Sequence, residues 1–121
     1  MLLLRVHHAQ ITIPVGAETE AREFYRDFLG LREIPKTESL QARGGFWLEI
    51  GDLQIHVGTE NDFDRTKTKA HVAYLVEDLK SWRENLLVKG VKIIEGIPIP
   101  NYQRFEFRDP FGNRVEFLEA V

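Results

Sequence analysis

The most informative stretch of the sequence is residues 105–118, FEFRDPFGNRVEFL, which predicts a β-hairpin. The central DPFGN favours a turn because proline presets φ, glycine adopts conformations that other residues resist, and aspartate can bond to nearby backbone. In the second strand, which begins at Arg114, Val115 and Phe117 share one face, whereas Glu116 lies on the other with Arg114. Glu116 is therefore either a solvent-facing carboxylate or a functional group that faces a cavity, and the strand by itself favours the first interpretation.

The order of predicted elements around this hairpin occurs twice along the chain: strand, helix and three further strands. Matching landmarks are His8 with His71, Phe46 with Phe105, and His56 with Glu116, at offsets of 63, 59 and 60 residues. Repeated units of this kind bury their faces against one another. We therefore expect an α+β fold of two tandem βαβββ modules that form a concave, partly open mixed-sheet barrel with helices outside.

The module boundaries follow from composition. Module 1 is expected at about residues 5–60 and module 2 at about 70–121, joined by a polar linker at 61–69, and together they form a single domain over 1–121. Apolar periodicity predicts one helix over residues 17–29, ended by Gly30, and a second between an Asp78 N-cap and Gly90. The other predicted strands are residues 5–14, 31–34, 46–50, 53–57, 71–76 and 91–94, with a polar loop at 36–45.

Composition excludes several classes of protein. The 121 residues contain no cysteine, which rules out disulfides, thiolate metal sites and a cysteine nucleophile. The net charge of −3 gives no reason to expect a nucleic-acid partner. The N-terminal MLLL is too short for a signal peptide or a membrane span, so we expect a cytoplasmic protein without a membrane partner.

Four side chains of metal-ligand type fall at corresponding points of the repeat. His8 and His71 lie on the first strand of each module, and His56 and Glu116 lie on the last. All four project from the face opposite the aliphatic stripe of their strand. A single histidine in such a place is more often a surface or core residue, but this recurrence favours a site, and imidazole and carboxylate groups suit a first-row divalent ion. His7 lies on the opposite face and is expected to be structural.

Several segments of the sequence are similar to those of a known superfamily. The chain resembles the vicinal oxygen chelate superfamily, the group of glyoxalase I, bleomycin-resistance proteins, extradiol dioxygenases and fosfomycin-resistance enzymes. The matching segments are residues 8–14 (HAQITIP), 23–31 (EFYRDFLGL), 47–53 (WLEIGDL), 70–76 (AHVAYLV) and 107–117 (FRDPFGNRVEF). One scaffold serves many chemistries in such a superfamily, so the resemblance indicates the fold more strongly than the reaction.

Position by position, the resemblance implies a divalent metal ion, Zn, Ni, Mn or Fe(II), held by His8, His71 and Glu116, with His56 at a fourth position. Glyoxalase I carries a glutamate there and the fosfomycin enzymes use three protein ligands, so His56 is either a fourth ligand or a hydrogen-bonding partner of substrate or ligand. Glu106 stands where the fosfomycin enzymes carry a tyrosine, and no basic residues match the thiol-binding ones of glyoxalase I. Neither activity is singled out.

The hypothesis is a metal-dependent enzyme, lyase- or isomerase-like or dioxygenase-like, that acts on a small substrate with vicinal oxygens. The metal would act as a Lewis acid, and Glu116 and His56 are the predicted catalytic residues. The predicted substrate-binding residues are Gln10, Thr12, Trp47, Gln54, Arg104 and Glu106. The alternative is a metal-free protein that sequesters a ligand, as bleomycin-resistance proteins do.

The resemblance also bears on partners. Besides a small-molecule substrate, it implies a homodimer. The site is then either built within one chain or shared, with His8 and His56 from one chain and His71 and Glu116 from the other.

Overall fold

The structure is a computed structural model that describes residues 1–121. The chain divides into two compact units, Met1–Phe63 (unit 1) and Asp64–Val121 (unit 2). Each unit contains one four-stranded mixed sheet with a helix between its first and second strands. The predicted α+β fold of two tandem βαβββ modules is confirmed.

Unit 1 begins with β1 (His8–Ile13) and the helix α1 (Glu18–Arg22), and continues with β2 (Arg32–Ile34), β3 (Phe46–Ile50) and β4 (Leu53–Thr59). The strand order is β1-β4-β3-β2, with β1 parallel to β4 and the other pairs antiparallel. Alternation along the strands explains the core, because the inward residues Ile13, Phe46, Leu48, Ile55 and Val57 are all at most 4% exposed.

The first helix differs from the single α-helix predicted over residues 17–29. It is α-helical only over Glu18–Arg22 and continues as a π-helix over Glu23–Phe28, with Leu29 N–H donating to Phe24 C=O, five residues earlier. The wider π turn accompanies the burial of two consecutive aromatic residues, Phe24 and Tyr25, at 2% and 1% exposure. Gly30 ends the helix with φ of +85, in the left-handed region that glycine readily adopts.

Unit 2 contains β5 (His71–Leu75), α2 (Leu79–Val88), β6 (Ile94–Glu95), β7 (Tyr102–Arg108) and β8 (Arg114–Ala120), in the sheet order β5-β8-β7-β6. Strands β5 and β8 are parallel, which repeats the β1–β4 arrangement of unit 1. The Asp78 cap of α2 is confirmed, since its carboxylate accepts from Ser81 N–H at 3.1 Å.

The hairpin between β7 and β8 is present and tightly bonded. The Asp109 carboxylate accepts hydrogen bonds from the backbone N–H groups of Phe111 and Asn113 at 2.9 and 2.8 Å. Gly112 adopts φ of +96, and a Cβ there would lie 2.8 Å from Thr66 Cγ2, so both conformation and space require glycine. This turn sets the register that places Glu116 opposite Glu106.

Two segments predicted to lack regular structure contain short 3₁₀ helices, Glu38–Arg43 and Arg65–Lys67. The prediction of a loop at residues 36–45 was wrong in this respect, because a 3₁₀ turn forms from local i to i+3 bonds and does not require an apolar stripe in the sequence. In the second segment the Asp64 carboxylate accepts from Thr66 N–H at 3.0 Å. No helix of the chain is both long enough and apolar enough to cross a membrane.

Candidate functional site

The four predicted metal ligands lie in two pairs, one in each unit. On the parallel strands β1 and β4, His8 is in register with Gln54, two residues before His56. On β5 and β8, His71 is in register with Arg114, two residues before Glu116. The two pairs are thus diagonal neighbours of the same kind on adjacent strands.

In unit 1 three rings form a continuous stack. The His56 ring lies 4.0 Å from the Trp47 ring at an interplanar angle of 3°, and 4.0 Å from the His8 ring at 15°. Because β4 lies between β1 and β3, Trp47 and His8 cover opposite faces of His56. This stack leaves His56 only 6% exposed.

His56 is held as a neutral imidazole. Burial, followed by the electrostatic effects of His8, His7 and Lys36, lowers the pKa of His56 to about 4. Its Nε2 lies 2.8 Å from Gln54 Oε1. Since the amide oxygen can only accept, Nε2 carries the hydrogen and the lone pair of the neutral ring is on Nδ1.

The geometry of this stack suits one metal ligand rather than two. Imidazole lone pairs lie in the ring plane, so nearly parallel stacked rings cannot both direct a lone pair at one ion. Nδ1 of His8 lies 2.9 Å from Nδ1 of His7, whereas Nε2 of His8 makes no hydrogen bond within the chain. His8 can therefore ligate through Nε2, and His56 is placed to support its ring. The contact between His8 and His7 was not predicted, since His7 was expected to be a structural residue.

In unit 2 an imidazole and a carboxylate lie side by side. Nδ1 of His71 lies 2.8 Å from the carbonyl oxygen of Lys69, which can only accept, so Nδ1 carries a hydrogen. Nε2 of His71 lies 3.3 Å from Oε1 of Glu116, whose residue is 7% exposed. Two ligand atoms that bind one ion at about 2.1 Å in tetrahedral or octahedral geometry lie roughly 3.0 to 3.4 Å apart. The pair fits a divalent cation.

Two arginines surround this pair. Arg104 Nη1 lies 3.2 Å from Glu116 Oε1 and 3.3 Å from Glu106 Oε1. Arg114 donates to both carboxylate oxygens of Glu106, through Nε and, at 2.7 Å, through Nη2. Hydrogen bonding from Arg114 is the main cause that lowers the pKa of Glu106, against the opposing effect of burial. Arg114 was not predicted as a site residue, although it shares the strand face of Glu116.

The remaining predicted substrate-binding residues are divided between two environments. Gln10, Trp47 and Gln54 line a cavity of about 700 Å³ in unit 1, to which Lys36 and Arg43 add positive charge and no acidic residue contributes. The Thr12 hydroxyl instead donates to Glu60 Oε1 at 3.3 Å, outside this lining. Arg104 and Glu106 belong to the charged cluster of unit 2. Neither unit gathers three or more His, Cys, Asp or Glu side chains into one metal-binding group.

Comparison with known proteins identifies the family. The family model described as the Glyoxalase/Bleomycin resistance protein/Dioxygenase superfamily matches residues 5–117. The chain belongs to this superfamily.

Solved structures agree with this family. A protein from Bacillus anthracis assigned to the glyoxalase family is 40% identical, with a TM-score of 0.90 over 100% of this chain and 98% of that one. A glyoxalase/dioxygenase from Nostoc punctiforme is 18% identical, with a TM-score of 0.77 over 97% and 91% of the two chains. Lactoylglutathione lyase from Agrobacterium tumefaciens is also 18% identical, with a TM-score of 0.71 over 95% and 92%. The last two show likeness of fold alone. No curated protein matches the chain.

The divalent metal implied for this superfamily member fits its two halves unequally. In unit 2, Nε2 of His71 and a carboxylate oxygen of Glu116 lie at a distance typical of two ligands of one ion. Nδ1 of His71 donates to a backbone carbonyl, as is usual for ligating histidines. Unit 1 offers one available nitrogen, Nε2 of His8, beside a histidine that is already stacked and hydrogen-bonded. The chemistry of the donor set therefore fits a metal held mainly by His71 and Glu116.

Proposed function

We propose that this superfamily member is a divalent-metal-dependent enzyme that acts on a small substrate with two adjacent oxygen atoms. The observation that supports it is the contact of 3.3 Å between His71 Nε2 and Glu116 Oε1. Because Nδ1 of His71 keeps its hydrogen for the Lys69 carbonyl, Nε2 is the ring atom that can bind a metal ion, and it faces a carboxylate oxygen. Two acceptors at this distance are favourable only with a proton or a metal ion between them.

In this proposal His71, Glu116 and His8 hold the metal, which is Zn, Ni, Mn or Fe(II). When bound, a divalent ion supplies Lewis acidity toward the oxygens of the substrate. His56 positions the His8 ring by stacking. It also presents Nδ1, the one ring atom able to accept a hydrogen bond or a proton from substrate.

The cavity of unit 1 supplies a place for the substrate. Trp47 offers an aromatic wall, Gln10 and Gln54 offer amide groups, and Lys36 and Arg43 favour an anionic group. The cavity volume of about 700 Å³ lies within the range of small-molecule sites. This composition supports a small polar substrate.

Metal analysis of protein purified without added metal tests the proposal. We expect stoichiometric Zn, Ni, Mn or Fe, or stoichiometric uptake after its addition, and loss of this metal in His71→Ala and Glu116→Gln. Glu84→Gln, which alters an exposed carboxylate on α2, is the matched control and should keep the metal. Protein that is folded yet takes up none of these ions, with no change in thermal stability on their addition, contradicts the proposal.

Activity is then sought with the loaded protein on a panel of α-ketoaldehyde–thiol adducts, catechols and vicinal dioxo compounds. Turnover that depends on metal and disappears in Glu116→Gln is expected. Cleavage of catechols only after anaerobic Fe(II) loading and addition of oxygen would select the dioxygenase-like reaction, since a site of two histidines and one carboxylate is typical of such iron enzymes.

We also propose a homodimer, with His8 and His56 of one chain completing the site of His71 and Glu116 of the other. Light scattering should give twice the chain mass. Mixing His8→Ala with Glu116→Ala chains, each inactive alone, should then restore part of the activity, because one of the two sites in a heterodimer has all its ligands. A site built within each chain predicts no recovery.

A metal-free ligand-binding protein is the second candidate. The observation that favours it is the contact of 3.2 Å between Arg104 Nη1 and Glu116 Oε1, which gives the carboxylate a cationic partner without metal. This candidate predicts tight ligand binding that EDTA leaves unchanged, measured by calorimetry on the same panel.

A further inference from the structure

We propose that Arg104 competes with the metal ion for Glu116 and thereby sets the metal affinity of the site. This inference rests on the metal-dependent function proposed above. Arg104 Nη1 lies 3.2 Å from the same oxygen, Oε1 of Glu116, that lies 3.3 Å from Nε2 of His71. A metal held by His71 and this oxygen must share it with a guanidinium ion.

Burial makes this competition strong. The side chains of Arg104 and Glu116 are 14% and 10% exposed. Where water is largely excluded, repulsion between two cations near one oxygen is screened less than at the surface. A divalent ion that binds here would therefore be repelled by the positive charge of Arg104 unless the guanidinium moves away.

Charge balance singles out Arg104 as the partner of Glu116. Arg114 already binds both carboxylate oxygens of Glu106, so Glu106 does not need Arg104 for compensation. Two carboxylates and two guanidinium groups leave the cluster neutral without a metal. Arg104 takes the position of the counter-cation for Glu116, which is the role that a metal ion would otherwise have.

The chain holds the guanidinium in this position by two further features. Arg104 Nε donates to the carbonyl oxygen of Ile97 at 3.0 Å. Gly96 provides the space, because a Cβ at residue 96 would lie 2.7 Å from Cζ of Arg104 and 3.0 Å from both terminal nitrogens. Alanine at residue 96 should therefore displace the guanidinium while the charge stays in the protein.

The test measures dissociation constants for Co²⁺ and Zn²⁺ by competition with a chelating indicator, with the visible absorption of Co²⁺ as a second readout. Arg104→Met keeps the apolar stem and removes the charge, and it should tighten binding by about tenfold or more. Gly96→Ala should tighten binding in the same direction by a smaller factor. A residue with a merely structural role would weaken binding when replaced, so the sign of the change is decisive.

Arg108→Met is the matched control. Arg108 lies on the same strand, but its guanidinium donates to the carbonyl oxygens of Arg65 and Gly112 at 3.3 and 3.1 Å rather than to a carboxylate. Its replacement should leave the metal affinity within about twofold of the wild type, since its charge is not shared with a ligand.

The outcomes separate this inference from the function on which it rests. Metal binding by the wild type that is unchanged or weaker in both Arg104→Met and Gly96→Ala overturns the inference and leaves the proposed function standing. Absence of metal binding in the wild type and in both variants, with folding intact, overturns both. If Arg104→Met does not fold by near-ultraviolet circular dichroism, Gly96→Ala decides the question.

Discussion

Units 1 and 2 place different chemistry on the same strand positions. His8 and His71 correspond, but the neighbouring positions differ in kind: Trp47 with Glu106, Gln54 with Arg114, and His56 with Glu116. In unit 1 the aromatic side chains of Trp47, His56 and His8 form a ring stack, and in unit 2 the charged side chains form a network of ion pairs. The same backbone can therefore hold candidate site residues by stacking in one unit and by charge in the other.

This difference has a functional consequence under the metal-dependent proposal. A stacked neutral histidine can orient a neighbouring ligand but adds no negative charge, whereas Glu116 can neutralise part of a cation. We therefore expect the side chains of unit 2 to contribute more to metal affinity than those of unit 1.

The largest effect on stability should come from the cores, where the two units also differ. Phe117 of unit 2 corresponds to Val57 of unit 1, and they are 3% and 2% exposed. Phe117→Ala should lower the free energy of unfolding by about 3 to 5 kcal/mol, because it leaves a large cavity. Val57→Ala should cost less, since fewer buried atoms are removed. Urea denaturation measures both, and equal costs would contradict the comparison.

Substitutions in the two units should also change the metal affinity by different amounts. Glu116→Gln should weaken metal binding by more than about 100-fold. This exceeds the loss of about 10- to 100-fold that is typical when a residue that only supports a ligand is replaced. His56→Gln should weaken it by less than about tenfold, because His56 acts through its stacking on His8. Calorimetric titration of both variants with Zn²⁺ gives the comparison. A loss for His56→Gln as large as that for Glu116→Gln would make His56 a ligand.

In the metal-free protein, the two units should lose stability in different pH ranges. The folded pKa of His56 is lowered from 6.5 to about 4, so the unfolded chain binds the proton more readily. Its stabilising contribution is complete above about pH 6.5 and is lost as the pH falls toward 4, by about 2 to 3 kcal/mol.

The ion pair of unit 2 should respond at lower pH. The pKa of Glu106 is lowered by Arg114, so its contribution to stability is present above the ordinary glutamate pKa and is lost only below it.

Urea denaturation in EDTA between pH 7 and 4.5 tests the contribution of His56. The free energy of unfolding should decline over this range, and His56→Gln should largely remove the decline. A decline that persists unchanged in this variant would show that His56 is not its source.

The smallest effect should come from the helix N-termini. Asp78 caps α2 by accepting from Ser81 N–H at 3.1 Å, whereas Ala17 precedes α1 without a side-chain hydrogen bond. Asp78→Ala should lower Tm by about 3 to 5 °C, and Asp78→Asn, which keeps an acceptor and tolerates the positive φ of 55° at this residue, should lower it less. Differential scanning calorimetry measures the difference, and equal shifts would mean that the cap contributes little.

Features that arise from local interactions could be predicted from the sequence. The turn at residues 109–113 depends on proline, glycine and an aspartate that bonds to its own loop, and the α2 cap depends on one aspartate. The strand alternation that placed Val115 and Phe117 inward is equally local. The π-helix at Glu23–Phe28 was not predictable, because its apolar spacing also suits an α-helix.

The candidate site could be predicted only in part from the sequence. Period-two alternation assigned His71 and Glu116 to corresponding faces, but whether their side chains meet depends on strand order and register. The contact of Arg104 with Glu116 depends on a guanidinium that lies beside Gly96, in a segment without periodicity. Gln54, predicted to bind substrate, bonds to His56 because their strand turns both side chains to one face.

The sequence by itself determined the superfamily, the tandem βαβββ order and the strand faces that carry the candidate ligands. It could do so because turns, caps and alternation depend on residues that are close together in the sequence. Only the tertiary structure decided which of these side chains touch. Strand pairing across dozens of residues brought Trp47, His56 and His8 into a ring stack, and Glu116 into contact with both His71 and Arg104. Such contacts depend on packing and burial, and these set the electrostatics of a site without a local signature in the chain.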